Sequence, residues 1–205
     1  MIRCTSCAII DAAVQGKLDR YPVAVRPTRW NGSAKAVKAF KDEVMTQGLV
    51  IQGARCAWCT LEVGERGRRT AHRDHVAPKA TYPAWTFLPK NLVITCEYCN
   101  GFIVKGETDT VAIQRASYED CDFHLVHPYL DDPSLHLSFL PHRDVLGVLI
   151  KSCSPKGAWT IRLFGLDSSA STVNRIKDKL YDRHKSDLDL TDQVRFDQAL
   201  EAIGR

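Results

Sequence analysis

Apolar residues recur every three to four positions between Val37 and Val44, a spacing typical of an amphipathic helix. The helix is predicted to begin at Ala34, after an N-cap at Ser33, and to end near Gln47. Its expected buried stripe consists of Val37, Phe40, Val44 and Met45.

Two more helices are predicted near the C-terminus. One covers residues 170–185 after a cap at Asp167 or Ser168, and the other runs from Thr191 to Ile203. Residues 1–33 have no clear period. A helical turn or two is expected from Asn100 to about Lys105.

Short apolar or alternating runs predict strands at several places. Leu49–Ile51 and Leu92–Ile94 are apolar runs that each lead towards a cysteine pair. Residues 123–126 and 135–139 alternate at strand period, within a stretch of mixed strand and loop over 121–150. Trp159–Phe164 is a further strand candidate. Helices and strands in this mixture predict one α+β domain.

The composition favours a soluble globular protein. The 205 residues are 44% hydrophobic and 25% charged, and no apolar run approaches the roughly 20 residues that span a bilayer. The first residues lack a signal pattern, so we expect a cytoplasmic protein without membrane contact. In that reducing setting the eight cysteines indicate metal binding more than disulfides. The net charge of +4 is compatible with a polyanionic partner.

Two Cys-x-x-Cys pairs predict a structural zinc site. A two-residue gap lets a tight turn direct both sulfurs at one ion, and zinc prefers four such ligands. The four candidate ligands are Cys56, Cys59, Cys96 and Cys99. The alternatives are two unrelated pairs or a redox Cys-x-x-Cys.

A third pair, Cys4 and Cys7, supplies only half of a second zinc site. The residues that could complete it are Cys121, Cys153, His124 and His127, and the spacing does not choose among them.

An Asp-His step and an asparagine supply candidate catalytic groups. His75 can accept a proton from water near neutral pH. Asp74 offers a hard oxygen ligand that suits magnesium, and the Asn100 amide oxygen could complete that site. The alternatives are a surface Asp-His pair without function and an asparagine that caps a helix. Histidine 72, three residues before His75, could contact phosphate or metal, or could be a solvated residue in a basic loop.

Basic residues surround the Asp-His step and are candidate phosphate contacts, although a basic run is also a common solvated surface. They are Arg66, Arg68, Arg69, Arg73 and Lys79.

The segment 56–106 resembles the zinc-containing HNH (ββα-metal) endonucleases. The resemblance rests on Cys-x-x-Cys, Asp-His-Val-Ala-Pro-Lys from Asp74, and Asn-Leu-Val-Ile-Thr-Cys-x-x-Cys-Asn from Asn91 to Asn100. It implies that His75 is the general base, that Asp74 and Asn100 hold one Mg²⁺ or Mn²⁺, and that Asn91 braces the loop between two strands. Members of the family often carry a lysine three residues after the last asparagine. Here the first lysine is Lys105, which we expect to contact phosphate.

The resemblance implies three regions and a reaction. Residues 1–50 would form an N-terminal extension with a helix, 51–110 the nuclease core, and 111–205 a C-terminal α+β extension packed on the core. His75 would deprotonate water, and the cation would stabilise the departing 3′-oxygen, leaving 5′-phosphate ends on DNA, with RNA as the other candidate substrate.

A weaker likeness is to HNH proteins of bacterial anti-phage defence, Septu-like and retron-associated. It rests on Tyr82, on Phe123–Tyr129 with Asp131-Asp132, and on Gly157–Ile161. It implies a controlling partner such as an ATPase or a reverse-transcriptase complex. The main alternative function is a zinc-knuckle module that binds nucleic acid or protein without catalysis. A thiol-disulfide oxidoreductase is disfavoured, since the pairs lack a βαβ setting.

Overall fold

The computed structural model describes residues 1–65, 69–140 and 147–203, and it is an α+β fold, as predicted. Three helices precede the first cysteine pair: α1 (Ala12–Asp19), α2 (Arg26–Trp30) and α3 (Lys35–Ile51). The Asp11 carboxylate caps α1, accepting hydrogen bonds from the first backbone N–H groups of the helix. The helix α3 buries Val37, Phe40, Val44 and Gly48.

The predicted strand at Leu49–Ile51 is wrong, because α3 continues through these residues. Its last turn packs closely on the second strand of the hairpin: a Cβ on Gly48 would lie 2.7 Å from the Ile94 side chain. The next residue beyond the helix, Gln52, then pairs its side-chain amide with the backbone N–H and carbonyl of Ile94. The predicted cap at Ser33 is also wrong, since Ala34 precedes the helix without a side-chain hydrogen bond.

The central hairpin consists of β1 (Ala71–His75) and β2 (Leu92–Cys96), which are antiparallel with His75 opposite Leu92. The predicted strand at Leu92–Ile94 is therefore confirmed. The strand β2 is buried along its whole length, whereas β1 is buried only at Asp74 and His75. The end of the hairpin that carries Asp74 and His75 is therefore buried in the interior.

Two smaller antiparallel pairs follow, β3 (Val111–Ile113) with β4 (Asp122–Phe123), and β5 (Leu137–Leu140) with β6 (Leu149–Ser152). The pattern at 135–139 correctly predicts β5 to within two residues. The pattern at 123–126 predicts a longer strand than the structure contains, because β4 ends at Phe123.

The chain continues in α4 (Pro155–Phe164), α5 (Ser169–Ser186) and α6 (Leu190–Ile203). The last two confirm the helices predicted there. The predicted strand at Trp159–Phe164 is wrong, because this segment is α4. Ser154 caps that helix by accepting from the Gly157 N–H, Pro155 occupies its first turn, and Gly165 ends it at φ 57°.

One cluster of buried apolar side chains joins the elements up to α4, from Ala8 near the N-terminus to Leu166 after α4. Within it, the Trp58 ring stacks on Phe164, with centroids 4.7 Å apart, so α4 covers the first cysteine turn. Among the described residues, no helix is both long enough and apolar enough to cross a membrane.

Two glycine-to-alanine substitutions test how closely α4 packs. A Cβ at Gly157 would lie 2.0 Å from the His136 carbonyl oxygen, so Gly157→Ala must displace backbone and should lower the free energy of unfolding by about 2 kcal/mol or more. Gly16→Ala in α1 meets nothing within 4 Å and should raise stability by roughly 0.5–1 kcal/mol. Urea unfolding of both variants measures the difference; equal stabilities would contradict this packing.

Candidate functional site

Four cysteine sulfurs converge at the end of the hairpin. The Sγ atoms of Cys56, Cys59, Cys96 and Cys99 all lie within 4.8 Å of one another, and those of Cys59 and Cys96 are 3.8 Å apart. Sulfurs bound tetrahedrally at about 2.3 Å from zinc are separated by roughly 3.8 Å. The four cysteines can therefore hold a metal ion, in an arrangement compatible with structural zinc.

Hydrogen bonds of nearby backbone groups fix the positions of these sulfurs. The first pair lies in a turn closed by the bond from the Thr60 N–H to the Cys56 carbonyl, and Ala57 donates to the Ile94 carbonyl, which joins this turn to β2. The Cys99 N–H points at the Cys96 sulfur at 3.5 Å. Burial raises the pKa of the Cys56 thiol well above its usual value. A divalent cation would reverse this, because it stabilises thiolates directly.

The described residues form no second group of potential metal ligands around Cys4 and Cys7. Cys4 is buried, which raises the pKa of its thiol to about 11, and neither it nor Cys7 belongs to a group of three or more potential ligands. The candidate partner His127 is committed elsewhere, since its two ring nitrogens bond to the Tyr118 hydroxyl and the Tyr129 N–H.

The Asp74 carboxylate is buried and has a partner on each oxygen. The Trp58 indole N–H donates to Oδ2 at 2.9 Å, and the Lys105 ammonium donates to Oδ1 at 2.8 Å. The same ammonium also donates to the His75 carbonyl at 2.6 Å. The Lys105 side chain is only 1% exposed, so the prediction that it contacts phosphate is wrong. It instead neutralises Asp74 in the interior.

The loop that carries Lys105 is a series of hydrogen-bonded turns rather than the predicted helical segment after Asn100. Gly106 closes it with φ 47°, which favours glycine. These turns direct Lys105 back under the hairpin.

His75 lies on the opposite side of β1 from Asp74, as the alternation of a strand requires. Its Nε2 is 3.0 Å from the Thr86 carbonyl, and its ring packs edge-on against Trp30, with centroids 4.5 Å apart. A carbonyl only accepts hydrogen bonds, so Nε2 carries the proton and Nδ1 keeps its lone pair. Burial lowers the pKa of His75 to about 3, so the ring is neutral at neutral pH.

Asn91 fixes the start of the loop that joins the two strands. Its Oδ1 accepts from the Ala77 N–H at 2.7 Å, and its Nδ2 donates to the carbonyls of Ala77 and Trp85. The Tyr118 hydroxyl also donates to Oδ1, at 2.9 Å. The side chain therefore uses its bonding capacity on backbone and on a tyrosine, which is a positioning role.

The Asn100 side chain contacts His72. Its Nδ2 is 3.1 Å from Nδ1 of His72. Both residues line a surface cavity of about 180 Å³, together with Trp30, Lys41, Ala71 and Arg73. His72, a marginal candidate from the sequence, thus shares a cavity with a predicted site residue.

A cation held jointly by Asp74 and Asn100 does not fit this arrangement. The positive charge facing Asp74 is Lys105, which occupies the carboxylate, and Asn100 is bonded through its Nδ2 to His72. The cavity that Asn100 lines contains two cationic side chains, which favour an anion over a metal ion.

These two cations are Lys41 and Arg73. Burial and the neighbouring Arg73 lower the pKa of Lys41, and burial lowers that of Arg73. Arg73 donates to the Lys41 carbonyl and lies 3.6 Å from the Asp42 carboxylate. A phosphate in the cavity would relieve the repulsion between the two cations.

The other predicted phosphate contacts are more dispersed. Arg69 donates to the Glu62 carbonyl, and Lys79 is half-buried after the Asp-His strand. Arg66 and Arg68 lie outside the described residues.

Sequence reasoning missed two residues of the cavity, Lys41 and Trp30. Lys41 follows Phe40 of the buried stripe of α3, but this position alone does not distinguish it from a lysine in solvent.

Two lysine-to-methionine substitutions test the buried ion pair. The substitution Lys105→Met keeps the aliphatic stem but leaves Asp74 buried without its cation, which should cost about 3–5 kcal/mol. The pair Lys90–Glu119 has the same 2.8 Å separation but is 33% and 48% exposed, so Lys90→Met should cost at most about 1 kcal/mol. Chemical denaturation compares the two; similar losses would show that Lys105 is not the buried partner described.

Comparison with known proteins gives one partial similarity. The chain is 31% identical over 97 residues to protein ea31 of Escherichia phage lambda. The aligned region covers 47% of this chain and 27% of the phage protein, so the chain matches only about a quarter of that relative's length. No protein-family profile matches the chain.

Proposed function

We propose that this protein is an HNH-type endonuclease that hydrolyses phosphodiester bonds in DNA. The observation that carries the proposal is the cationic cavity beside the strand of His75, at the hairpin end where four cysteines converge. The sequence resemblance assigns the same hairpin to catalysis. Phosphate binding next to a histidine with a free ring nitrogen is what such hydrolysis needs.

The roles follow from the described contacts. Lys41 and Arg73 hold the phosphate, and Asn100 donates to it or to a neighbouring oxygen. His75 accepts the proton of water at Nδ1, since Thr86 fixes the other nitrogen. A base with a pKa of about 3 accepts protons weakly, but the His75 ring contacts Trp30, which lines the cavity, and a phosphate bound there would favour the charged imidazolium and raise that pKa. His72, which lines the cavity directly, is the second candidate base.

The metal requirement remains part of the proposal. The pairing of Asp74 with Lys105 leaves Mg²⁺ or Mn²⁺ no site on that carboxylate in the described structure, so the dependence of cleavage on either cation has to be measured. The role in anti-phage defence, with a controlling partner, rests on the sequence likeness alone.

A non-catalytic module that binds nucleic acid is the second candidate. The observation that favours it is the burial of both members of the Asp-His step, with Asp74 neutralised and His75 neutral. The cationic cavity would serve that function equally well.

Structural zinc at the four cysteines predicts about one zinc per purified chain. Cys96→Ser removes a ligand and should lower both zinc content and thermal stability, because metal binding is coupled to folding. Cys153→Ser is the matched control, since Cys153 is exposed and outside the cluster. Elemental analysis gives the zinc content. Loss of zinc in the control, or its retention in Cys96→Ser, would contradict the assignment.

Plasmid cleavage tests the catalytic proposal. Zinc-loaded wild type, His75→Ala and His72→Ala are assayed with Mg²⁺, with Mn²⁺ and with neither. Removing the general base should slow cleavage about 10²–10⁴-fold, whereas His124→Ala, an exposed histidine stacked on Trp159, should cleave normally. Loss in His72→Ala alone would transfer the role to His72. Wild type that binds DNA but cuts it under none of these conditions would favour the binding module.

A further inference from the structure

The loop after the last cysteine exposes two large apolar side chains in succession. Phe102 and Ile103 are 89% and 90% exposed, and Tyr98, just before the loop, is 60% exposed. Single exposed apolar residues are ordinary, but adjacent ones at the tip of a loop are typical of a surface that contacts a partner. We call Tyr98, Phe102 and Ile103 the apolar tip.

The apolar tip is held by a closed turn. Val104 and Gly106 both donate to the Gly101 carbonyl at 3.0 Å, and Gly101 donates to Tyr98 at the same distance. A Cβ on Gly106 would lie 2.6 Å from the Phe102 carbonyl oxygen, so the turn is too tight for another residue there. The exposed side chains are thus presented on an ordered backbone, and a ligand need not order it.

Both ends of this loop are anchored at the candidate site. At one end Asn100 bonds with His72 in the cationic cavity, and at the other Lys105 bonds with Asp74 and the His75 carbonyl. Asn100 lines the cavity and precedes Phe102 by only two residues, so the apolar tip adjoins the cavity and one ligand can contact both.

The chemistry of the two neighbouring surfaces selects the ligand. The cavity offers cations for a phosphate, whereas the apolar tip has no cation and is flanked by the exposed carboxylates of Glu97 and Glu107. The tip therefore suits uncharged flat groups more than a phosphate backbone. Nucleobases are such groups, and stacking on aromatic side chains is the usual mode of binding to single strands. In a continuous duplex the base faces are hidden.

We propose that the apolar tip is a base-stacking surface, which makes single-stranded nucleic acid the preferred ligand of this site. The inference rests on the proposed function, because it places the backbone phosphate of that strand at Lys41 and Arg73. Bases next to the bound phosphate stack on Phe102 and Tyr98, and Ile103 packs against the edge of the stack.

Binding is measured without divalent cations, so that a hydrolytic activity does not consume the probe. The probe is a single-stranded oligodeoxynucleotide that carries 2-aminopurine, with its blunt duplex as comparison. The double variant Phe102→Ser/Ile103→Ser should bind the single strand at least tenfold more weakly, with the duplex affinity little changed. The 2-aminopurine fluorescence change seen with wild type should disappear. Phe102→Trp, which keeps an aromatic face, should bind like wild type.

The matched control is Ile9→Ser/Val50→Ser, which removes two apolar side chains that are 82% and 79% exposed elsewhere on the surface. It should leave both affinities unchanged. Equal affinity for the single strand in the two double variants would overturn the proposal. So would a tip variant that only shifts a dimer to a monomer in analytical ultracentrifugation, since a second copy would then occupy the tip.

Cleavage by wild type of the plasmid and of the single-stranded oligodeoxynucleotide, with Mg²⁺ or Mn²⁺, separates this inference from the proposed function. Intact cleavage together with an ineffective tip variant overturns the stacking surface alone. Absence of cleavage of both substrates, with single-strand binding that depends on Phe102, overturns the nuclease and supports the stacking surface.

Discussion

The buried carboxylate of Asp74 is the point at which three separate segments of this chain meet. It belongs to β1, it accepts from the indole of Trp58 in the first cysteine turn, and it pairs with Lys105 beyond the second. A buried charge without partners costs several kcal/mol. Displacing any one of the three segments would therefore leave a buried polar or charged side chain without its partner. The four cysteines bring two of these segments together, the first cysteine turn and the second cysteine turn that leads to Lys105. A metal ion held by these cysteines would therefore constrain the same region as the ion pair does.

The contrast between α3 and α4 explains how far the sequence predicts the fold. The spacing of Val37, Phe40 and Val44 identifies α3, but the run after it resembles a strand because its residues are all apolar. Only packing on Ile94 shows that the helix continues. For α4 the short pattern at Trp159–Phe164 favours a strand, whereas a serine cap, a proline in the first turn and a glycine after the end all indicate a helix. In a run of six residues the capping signals are the better evidence, since so short an apolar pattern is compatible with either a helix or a strand.

At the candidate site, the sequence predicts which residues converge better than where their side chains point. The cysteine spacing correctly predicts a cluster able to hold a metal ion, because short turns limit where each sulfur can lie. The direction of Lys105 is different, since it depends on the turns of the loop after Asn100 and on a buried carboxylate that only the tertiary structure supplies. Asn100 similarly lies beside His72 because of how this loop leaves the cysteine turn. The direction of a long polar side chain therefore cannot be predicted until the backbone on both sides of it is known.

The two buried histidines show why a perturbed pKa alone does not identify a catalytic residue. Burial lowers the pKa of both His75 and His127 to about 3. His127 has both ring nitrogens occupied: it accepts from the Tyr129 N–H, so its other nitrogen donates to Tyr118, whose hydroxyl in turn donates to Asn91. That chain fixes the loop between the strands and leaves no lone pair for chemistry. Within the part of the chain that the structure describes, only Nε2 of His75 has a hydrogen-bond partner, and the ring packs on Trp30, which lines the cationic cavity. The difference between a structural histidine and a candidate base therefore lies in the remaining nitrogen and in what adjoins the ring. If an anion binds in the cavity as proposed, it would raise the proton affinity of His75, whose ring contacts the cavity-lining Trp30.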